Sequence, residues 1–262
     1  VYKDFDDKHS LFAAVVRMLC DKVVPPSLHE MEINNSEPLT VLTKLAVQIL
    51  SNLYAREQIA LLRVVVTESQ GFPELGALMY EQVEQDLGPV KGLVNNAGVN
   101  GGGTRVDDLD ADTCRRVFEV NVLGTFLCSK YAIKRMAKRH GGSGGAIVNV
   151  SSAASKHGGP GTYTDYAASK GAIDTFTVGL AKEQAEEGIR VNCLRPGATM
   201  TELSVEWAEQ NPQWLDWVIE QIPMRRPAQV EEIARAAIFL LSGDSSYVTG
   251  ATLDVCGGWV SP

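Results

Sequence analysis

From residue 91 onward the chain alternates short β-branched runs with long helix-patterned stretches, and that alternation restricts it to very few architectures. Lys91–Val94 reads as a strand and Asp108–Lys138 as a helix. Ala146–Val150 (AIVNV) is the next strand and Tyr166–Glu187 the next helix. Ile189–Leu194 is a third strand, followed by an acidic, Trp-containing stretch from Thr201 to Glu220. Val230–Leu241 reads as a helix and Ala251–Val255 as a last strand. A strand that is followed by a helix cannot pair antiparallel with the next strand through a tight turn. The pattern therefore predicts βαβ units, with a parallel sheet covered by helices on both faces. In such sheets ligands bind beyond the carboxyl ends of the strands.

The texture before Gly88 is different. Leu11, Phe12, Val15, Val16 and Leu19 recur at three- to four-residue steps, the apolar face of a helix that Pro25 and Pro26 stop. Ser36-Glu37-Pro38 looks like a helix start, with Ser36 as N-cap. Leu39, Leu42, Leu45, Ala46, Ile49 and Leu53 form the stripe of that helix. Further helices are expected over Glu57–Ser69 and from Pro73 to about Leu87. No strand alternation and no glycine-rich loop interrupts this segment. The expected organisation is an all-α segment over 1–82 and an α/β portion over 83–262.

Charge and cysteine content narrow the function classes. Residues 1–88 carry 7 basic and 13 acidic side chains, the remainder 17 and 19, for a net charge of −8. An acidic chain is a poor match to nucleic acid, whose phosphates call for Lys and Arg. Cys20, Cys114, Cys128, Cys193 and Cys256 are scattered, with no CxxC pair. They read as reduced thiols of a cytoplasmic protein rather than a disulfide framework or a zinc site. No apolar run reaches the roughly 18–20 residues of a membrane span, and no signal peptide is recognised. The chain begins with Val1 rather than Met, consistent with a start lying upstream.

Tyr166-Ala167-Ala168-Ser169-Lys170 carries the clearest chemistry. Tyr and Lys at i and i+4 lie on one helical face, roughly 6 Å apart along the axis. A phenol has a pKa of about 10, too high for a general base near neutrality. A nearby ammonium favours phenolate, so Lys170 is expected to lower the pKa of Tyr166 and let it exchange a proton with a hydroxyl or carbonyl oxygen. Tyr163 is a rival on a similar face but lies seven residues from Lys170, about 10 Å along a helix. Ser151-Ser152 ends the AIVNV strand, where a hydroxyl can donate to a substrate oxygen beside the Tyr. Asn95-Asn96-Ala97-Gly98 ends the preceding strand, and Gly98 permits close backbone approach. Asn121 interrupts an apolar helical stretch (FEVNVLGTF) and needs partners if buried. Pro196-Gly197 is another approach point after the third strand. His157 is a loop residue that could border a substrate. Trp207, Trp214 and Trp217 either line an apolar pocket or pack a lid onto the body. Arg225-Arg226 reads as a solvated turn or a contact for a phosphate.

Read together, NNAG at 95–98, FEVNVLG at 118–124, IVNVSS at 147–152, YAASK at 166–170, VNCLRPG at 191–197 and VTGATLDVCGG at 248–258 resemble the short-chain dehydrogenases/reductases in order and spacing. The resemblance covers about residues 84–258. It implies a doubly wound, Rossmann-like sheet and hydride transfer between NAD or NADP and a small alcohol or carbonyl substrate. It implies Tyr166 as acid/base, Ser152 orienting the carbonyl, and Lys170 tuning the Tyr and holding the nicotinamide ribose. Asn121 would hold a water connecting Lys170 to solvent. Asn95, Ala97 and Gly98 would lie along the adenosine side of the cofactor, and Pro196, Gly197, Thr199 and Thr201 near the nicotinamide carboxamide and a phosphate. It further implies a dimer or tetramer assembled through the two long helices.

The front departs from that pattern. The resemblance implies an opening strand, a TGxxxGxG loop and a helix holding the pyrophosphate, yet no such loop occurs in the 262 residues. The glycine runs at Gly101–Gly103 and Gly141–Gly145 lack the strand–turn–helix context. The second strand and the third, with its Asp near the adenine, are also missing. The expected fold is thus α/β, a truncated doubly wound parallel sheet preceded by an all-α helical segment. Residues 1–80 instead resemble part of a TetR-like transcription regulator. Val1-Tyr2-Lys3-Asp4-Phe5 with Leu11-Phe12 matches the end of the recognition helix, and Arg63–Glu68 with Phe72-Pro73-Glu74-Leu75 matches part of the ligand-binding domain. Three readings follow: an oxidoreductase with weakened cofactor affinity, a non-catalytic fusion or truncated product, and a TetR-like regulator.

Overall fold

The computed structural model describes residues 80, 81, 84, 88–201, 204, 205, 208, 209 and 211–260. The chain divides into two compact units after Val90, and the unit from Lys91 holds nearly all of the described residues. The helices expected within 1–79, the TetR-like segment and Trp207 lie outside the described residues.

Four strands form one parallel sheet: β1 (Gly92–Asn95), β2 (Gly145–Val150), β3 (Ile189–Pro196) and, last in the chain, β6 (Thr252–Val255). Their order is β1-β2-β3-β6. A small parallel pair, β4 (Thr199–Met200) and β5 (Ala228–Gln229), follows β3. The long helices are α1 (Ala111–Phe118), α2 (Gly124–Met136), α4 (Thr164–Gln184), α5 (Pro212–Gln221) and α6 (Val230–Leu241), with the single-turn α3 at Ala154–His157. The strand–helix alternation is as expected. The one difference in kind is that the helix expected over 108–138 is two helices joined by a π turn at Glu119–Leu123, which contains Asn121.

Register shows why the strands are apolar on both faces. Val94, Val148 and Leu194 share one face, because β1 pairs Val94 with Val148 and β2 pairs Val148 with Asn192, two residues before Leu194. Leu240 of α6 packs there on Val148 and Leu194, together with Ile233, Ala236, Ala237, Leu253 and Val255. The opposite face carries a buried polar ladder toward α2 and α4. Asn95 Nδ2 donates to Ser129 Oγ (3.0 Å) and to Asn149 Oδ1 (2.8 Å), and Asn149 Nδ2 donates to Thr177 Oγ1 (3.0 Å). Each amide is satisfied, which is what makes its burial tolerable. Arg190 fastens α6 at its carboxyl end, donating to the carbonyls of Leu240 (2.8 Å), Leu241 (3.2 Å) and Ser242 (2.9 Å). β1 is the outer strand, paired on one side only among the described residues. Its Val94 remains 41% exposed on the face that α6 covers further along. Among the described residues no helix is long and apolar enough to cross a membrane, and no cluster of three or more His, Cys, Asp or Glu could hold a metal ion.

Candidate active site

The carboxyl ends of β1, β2 and β3 open onto one cleft of about 270 Å³. Asn96, Gly98 and Val99 line it from the loop after β1, Val150, Ser151 and Ser152 from β2, Pro196 and Gly197 from β3, and Tyr166 and Lys170 from α4. Parallel strands place all their carboxyl ends on one edge, so side chains far apart in sequence converge there.

Lys170 is 3% exposed, and its Nζ donates to Val150 O at 2.8 Å. Burial pulls its amine down to about 8, against the opposing charges of Cys193 and Asp174. Ser151 Oγ donates to Lys170 O at 3.0 Å and so ties this turn of α4 to the end of β2. The Lys170 amine lies 5.6 Å from the Tyr166 ring centroid. Burial pushes the Tyr166 phenol above its ordinary value, more strongly than the Ser152 hydrogen bond pulls it down, and Tyr163 adds to the rise. This corrects the expectation of a phenol lowered by its ammonium neighbour. The low-polarity surroundings disfavour both charges, and the amine is already turned to a carbonyl. Ser152 Oγ accepts from Ala154 N at 3.1 Å, which leaves its own proton to donate into the cleft.

Asn121 is 1% exposed and its side chain is fully engaged. Nδ2 donates to Val99 O and to Ser169 Oγ, both at 2.9 Å, while Oδ1 accepts from Val99 N at 2.8 Å. Ser169 Oγ in turn donates to Tyr166 O at 2.7 Å. Asn121 thus clamps the loop after β1 to the turn of α4 that carries the Tyr. Its main-chain carbonyl accepts from Thr125 Oγ1 at 2.9 Å.

The other expected residues divide. Gly98, Pro196 and Gly197 line the cleft. Asn95 does not: its side chain is committed to the ladder beneath the sheet, and Asn96 lines the cleft in its place. Ala97 is exposed between Asn96 and Gly98 and is not among the lining residues. Thr199 and Thr201 also lie outside the lining, with hydroxyls donating to Gly197 O (3.1 Å) and Ser204 Oγ (3.1 Å). Val99, Asn100 and Val150 were not singled out for the cleft, and Asn96 and Ser151 only as members of the Asn95–Gly98 and Ser151-Ser152 runs. The available signal was their position immediately at or after strand ends.

The cleft suits the nicotinamide-riboside half of a dinucleotide. A Cβ at Gly98 would stand 3.2 Å from Lys170 Nζ and 3.3 Å from Asn121 Oδ1, so a larger residue there would crowd both side chains. Lys170, with one proton given to Val150, retains donors for sugar hydroxyls.

A protein family described as enoyl-(acyl carrier protein) reductase matches residues 73–260. An uncharacterized oxidoreductase, YgfF, of Escherichia coli is 52% identical over 180 residues, covering 69% of this chain and 72% of that protein. A glucose and ribitol dehydrogenase homolog of Oryza sativa is 41% identical, covering 65% of this chain and 57% of the relative. Among solved structures, a gluconate 5-dehydrogenase from Burkholderia cenocepacia, in complex with NADP and tartrate, aligns with a TM-score of 0.65 and 33% identity over 71% of this chain and 70% of the other. ElxO with NADP bound aligns with a TM-score of 0.67 and 30% identity over 74% and 75%.

Proposed function

The chain belongs to the short-chain dehydrogenase/reductase family of NAD(P)-dependent alcohol and carbonyl oxidoreductases, and from that premise we propose that Tyr166, Ser152 and Lys170 reduce a small carbonyl compound reversibly. The observation that carries this reading is the convergence of these three side chains, from α4 and β2, on one cleft at the strand ends. A nicotinamide held in this cleft by Lys170 would supply the hydride for the carbonyl carbon. Tyr166, a phenol already protonated at neutral pH and held more firmly so by burial, gives its proton to the carbonyl oxygen. Ser152 Oγ donates a hydrogen bond to that same oxygen, its acceptor side already taken by Ala154 N. The substrate carbon gains the hydride and its oxygen the proton, giving an alcohol and leaving a tyrosinate. Lys170 stabilises that anion, and a water on the Asn121 carbonyl returns the proton from solvent. Thr199 and Thr201, next to Pro196-Gly197, support a nearby phosphate only if the turn through Ser204 opens. Phe126, 46% exposed and stacked on Phe176 of α4 at 3.8 Å, offers an apolar patch on α2 and α4 through which copies of the chain would assemble.

One observation favours a second reading, a product that folds but does not bind cofactor. β1 is an edge of the sheet among the described residues, and no glycine loop stands anywhere in the sequence to hold a pyrophosphate. A fluorescence titration of NADH and NADPH into the full chain, beside Tyr166→Phe, separates the two. Saturable binding with carbonyl reduction that the substitution abolishes supports the enzyme. Absence of binding supports the alternative.

A further inference from the structure

Five aromatic rings run in an unbroken series away from the catalytic phenol. Tyr166 meets Tyr163 edge-on with centroids 6.1 Å apart, and Tyr163 meets His157 at 6.1 Å. His157 stacks on Trp259 at 5.1 Å and 23°, and Trp259 meets Trp217 edge-on at 6.4 Å. All four separations lie in the range that aromatic pairs prefer. The rings come from four separate places: α3, the start of α4, α5 and the turn after β6.

The backbone is shaped to bring them together. Gly257 has φ +60°, and a Cβ there would stand 2.8 Å from Ile222 Cγ2. Met224 N donates to Gly257 O at 3.1 Å. The turn after β6 is thereby seated on the chain leaving α5, and Trp259 reaches both Trp217 and His157. Core packing does not account for the series, since Trp217 remains 51% exposed.

We propose that the rings of His157, Tyr163, Trp217 and Trp259, none of which lines the cleft of about 270 Å³ itself, continue from Tyr166 as the wall that selects the substrate, and that the carbonyl compounds it accepts carry an aromatic ring beside the reacting carbon. Apart from the Lys170 amine, 5.6 Å from the Tyr166 ring centroid, the series carries no charged side chain of its own. Gly159 N donates to His157 Nδ1 at 3.1 Å, so the neutral imidazole has its proton on Nε2 and presents one donor. Burial also lowers the His157 pKa, which favours that neutral form. Flat, uncharged rings recognise a flat, uncharged partner through stacked and edge contacts. An open-chain polyol would have to give up water at several hydroxyls against few donors and acceptors. The proposal rests on the oxidoreductase reading only for the direction in which the carbonyl points, toward Tyr166.

The test is calorimetric titration of acetophenone, and separately of sorbitol, into the full chain, with NADPH titrated in parallel. Acetophenone should bind saturably and sorbitol at the same concentrations should not. Trp259→Ala should weaken acetophenone about tenfold and leave NADPH unaffected, while Trp259→Phe restores most of the binding. Trp217→Ala, at a half-exposed ring, guards against misfolding of the first variant and should also weaken acetophenone. Equal acetophenone binding in the alanine variants, no saturable acetophenone binding, or sorbitol binding as tight as acetophenone overturns the proposal. Acetophenone binding without NADPH binding keeps the aromatic wall and removes the oxidoreductase reading. NADPH binding with acetophenone indifferent to Trp259 does the reverse.

Discussion

At Tyr166 the burial that raises the phenol sets the sign of the pH dependence. Carbonyl reduction needs the protonated phenol, so its rate should hold through neutral pH and fall only above the ordinary phenol value of about 10. Alcohol oxidation needs the phenolate and should rise over the same interval. Steady-state rates in both directions across pH check this, and a reduction rate that falls between pH 6 and about 8 would contradict it. Tyr166→Phe should lower both directions by about 10²–10⁴-fold with NADPH affinity kept. Lys170 makes a stability prediction. Below pH 8 the folded and unfolded chains both carry the ammonium, and its burial cost is complete; above 10.5 neither carries it and the cost is gone. Lys170→Met should therefore be more stable than the parent near pH 7 by an amount on the order of 3 kcal/mol, an advantage that shrinks as pH rises through that window. Urea denaturation of both proteins at the two ends of the window measures it. An advantage that is constant with pH would show the amine to be unperturbed. The pairing of Tyr166 with Lys170 and Ser152 was readable from spacing and strand ends alone. The direction of the Tyr shift was not, because spacing carries no information on how deeply the neighbouring strand ends bury the pair.

Elements were legible wherever local pattern decides them. The β-branched runs at 145–150 and 189–196 are strands with both faces covered, the run at 92–95 pairs at their edge, and Val230–Leu241 is a helix of the expected span. The π turn at Glu119–Leu123 was hidden because its cause is remote: Asn121 reaches Val99 and Ser169, which lie 22 and 48 residues away. Asn95 and Asn96 were hard to tell apart for a related reason. Strand alternation says that one faces the core and the other the cleft, but only the register with Asn149 says which. β1 supplies the prediction at this scale. Its pairing with β2 satisfies one edge, and Val94 lacks the cover that Val148 and Val191 have, both being fully buried. Local opening should therefore begin there. Hydrogen exchange should find the amides of Leu93 and Val94 less protected than those of Val148 and Val191 by about a hundredfold. Equal protection would mean that another segment pairs with β1.

For the molecule as a whole the question is how much of a dinucleotide it can grip. The cleft of about 270 Å³ lies just below the usual range for ligand pockets. Pyrophosphate needs open backbone N–H groups, which helix N-termini usually supply. Here α1, α4 and α6 have acidic first turns. At α1 the Asp110 carboxylate already accepts Thr113 N at 2.8 Å, and Asp112 follows it. α4 opens with Asp165 in its first turn. At α6 Glu232 accepts Gln229 N at 2.8 Å. The run Gly141–Gly144 precedes β2 and so lies at the amino ends of the strands, across the sheet from the cleft. The run Gly101–Gly103 leads to a 3₁₀ turn at Val106–Asp108 with two more carboxylates, not to an open helix. Binding energy should then come almost wholly from the nicotinamide riboside, held by Lys170 and the Gly98 floor. The reduced nicotinamide mononucleotide should bind this chain within about tenfold of NADPH, since the adenosine half adds few contacts to offset its own ordering. Parallel titrations of the two ligands decide the matter. An NADPH affinity several hundredfold higher would overturn this expectation and show that the adenosine half is gripped as well.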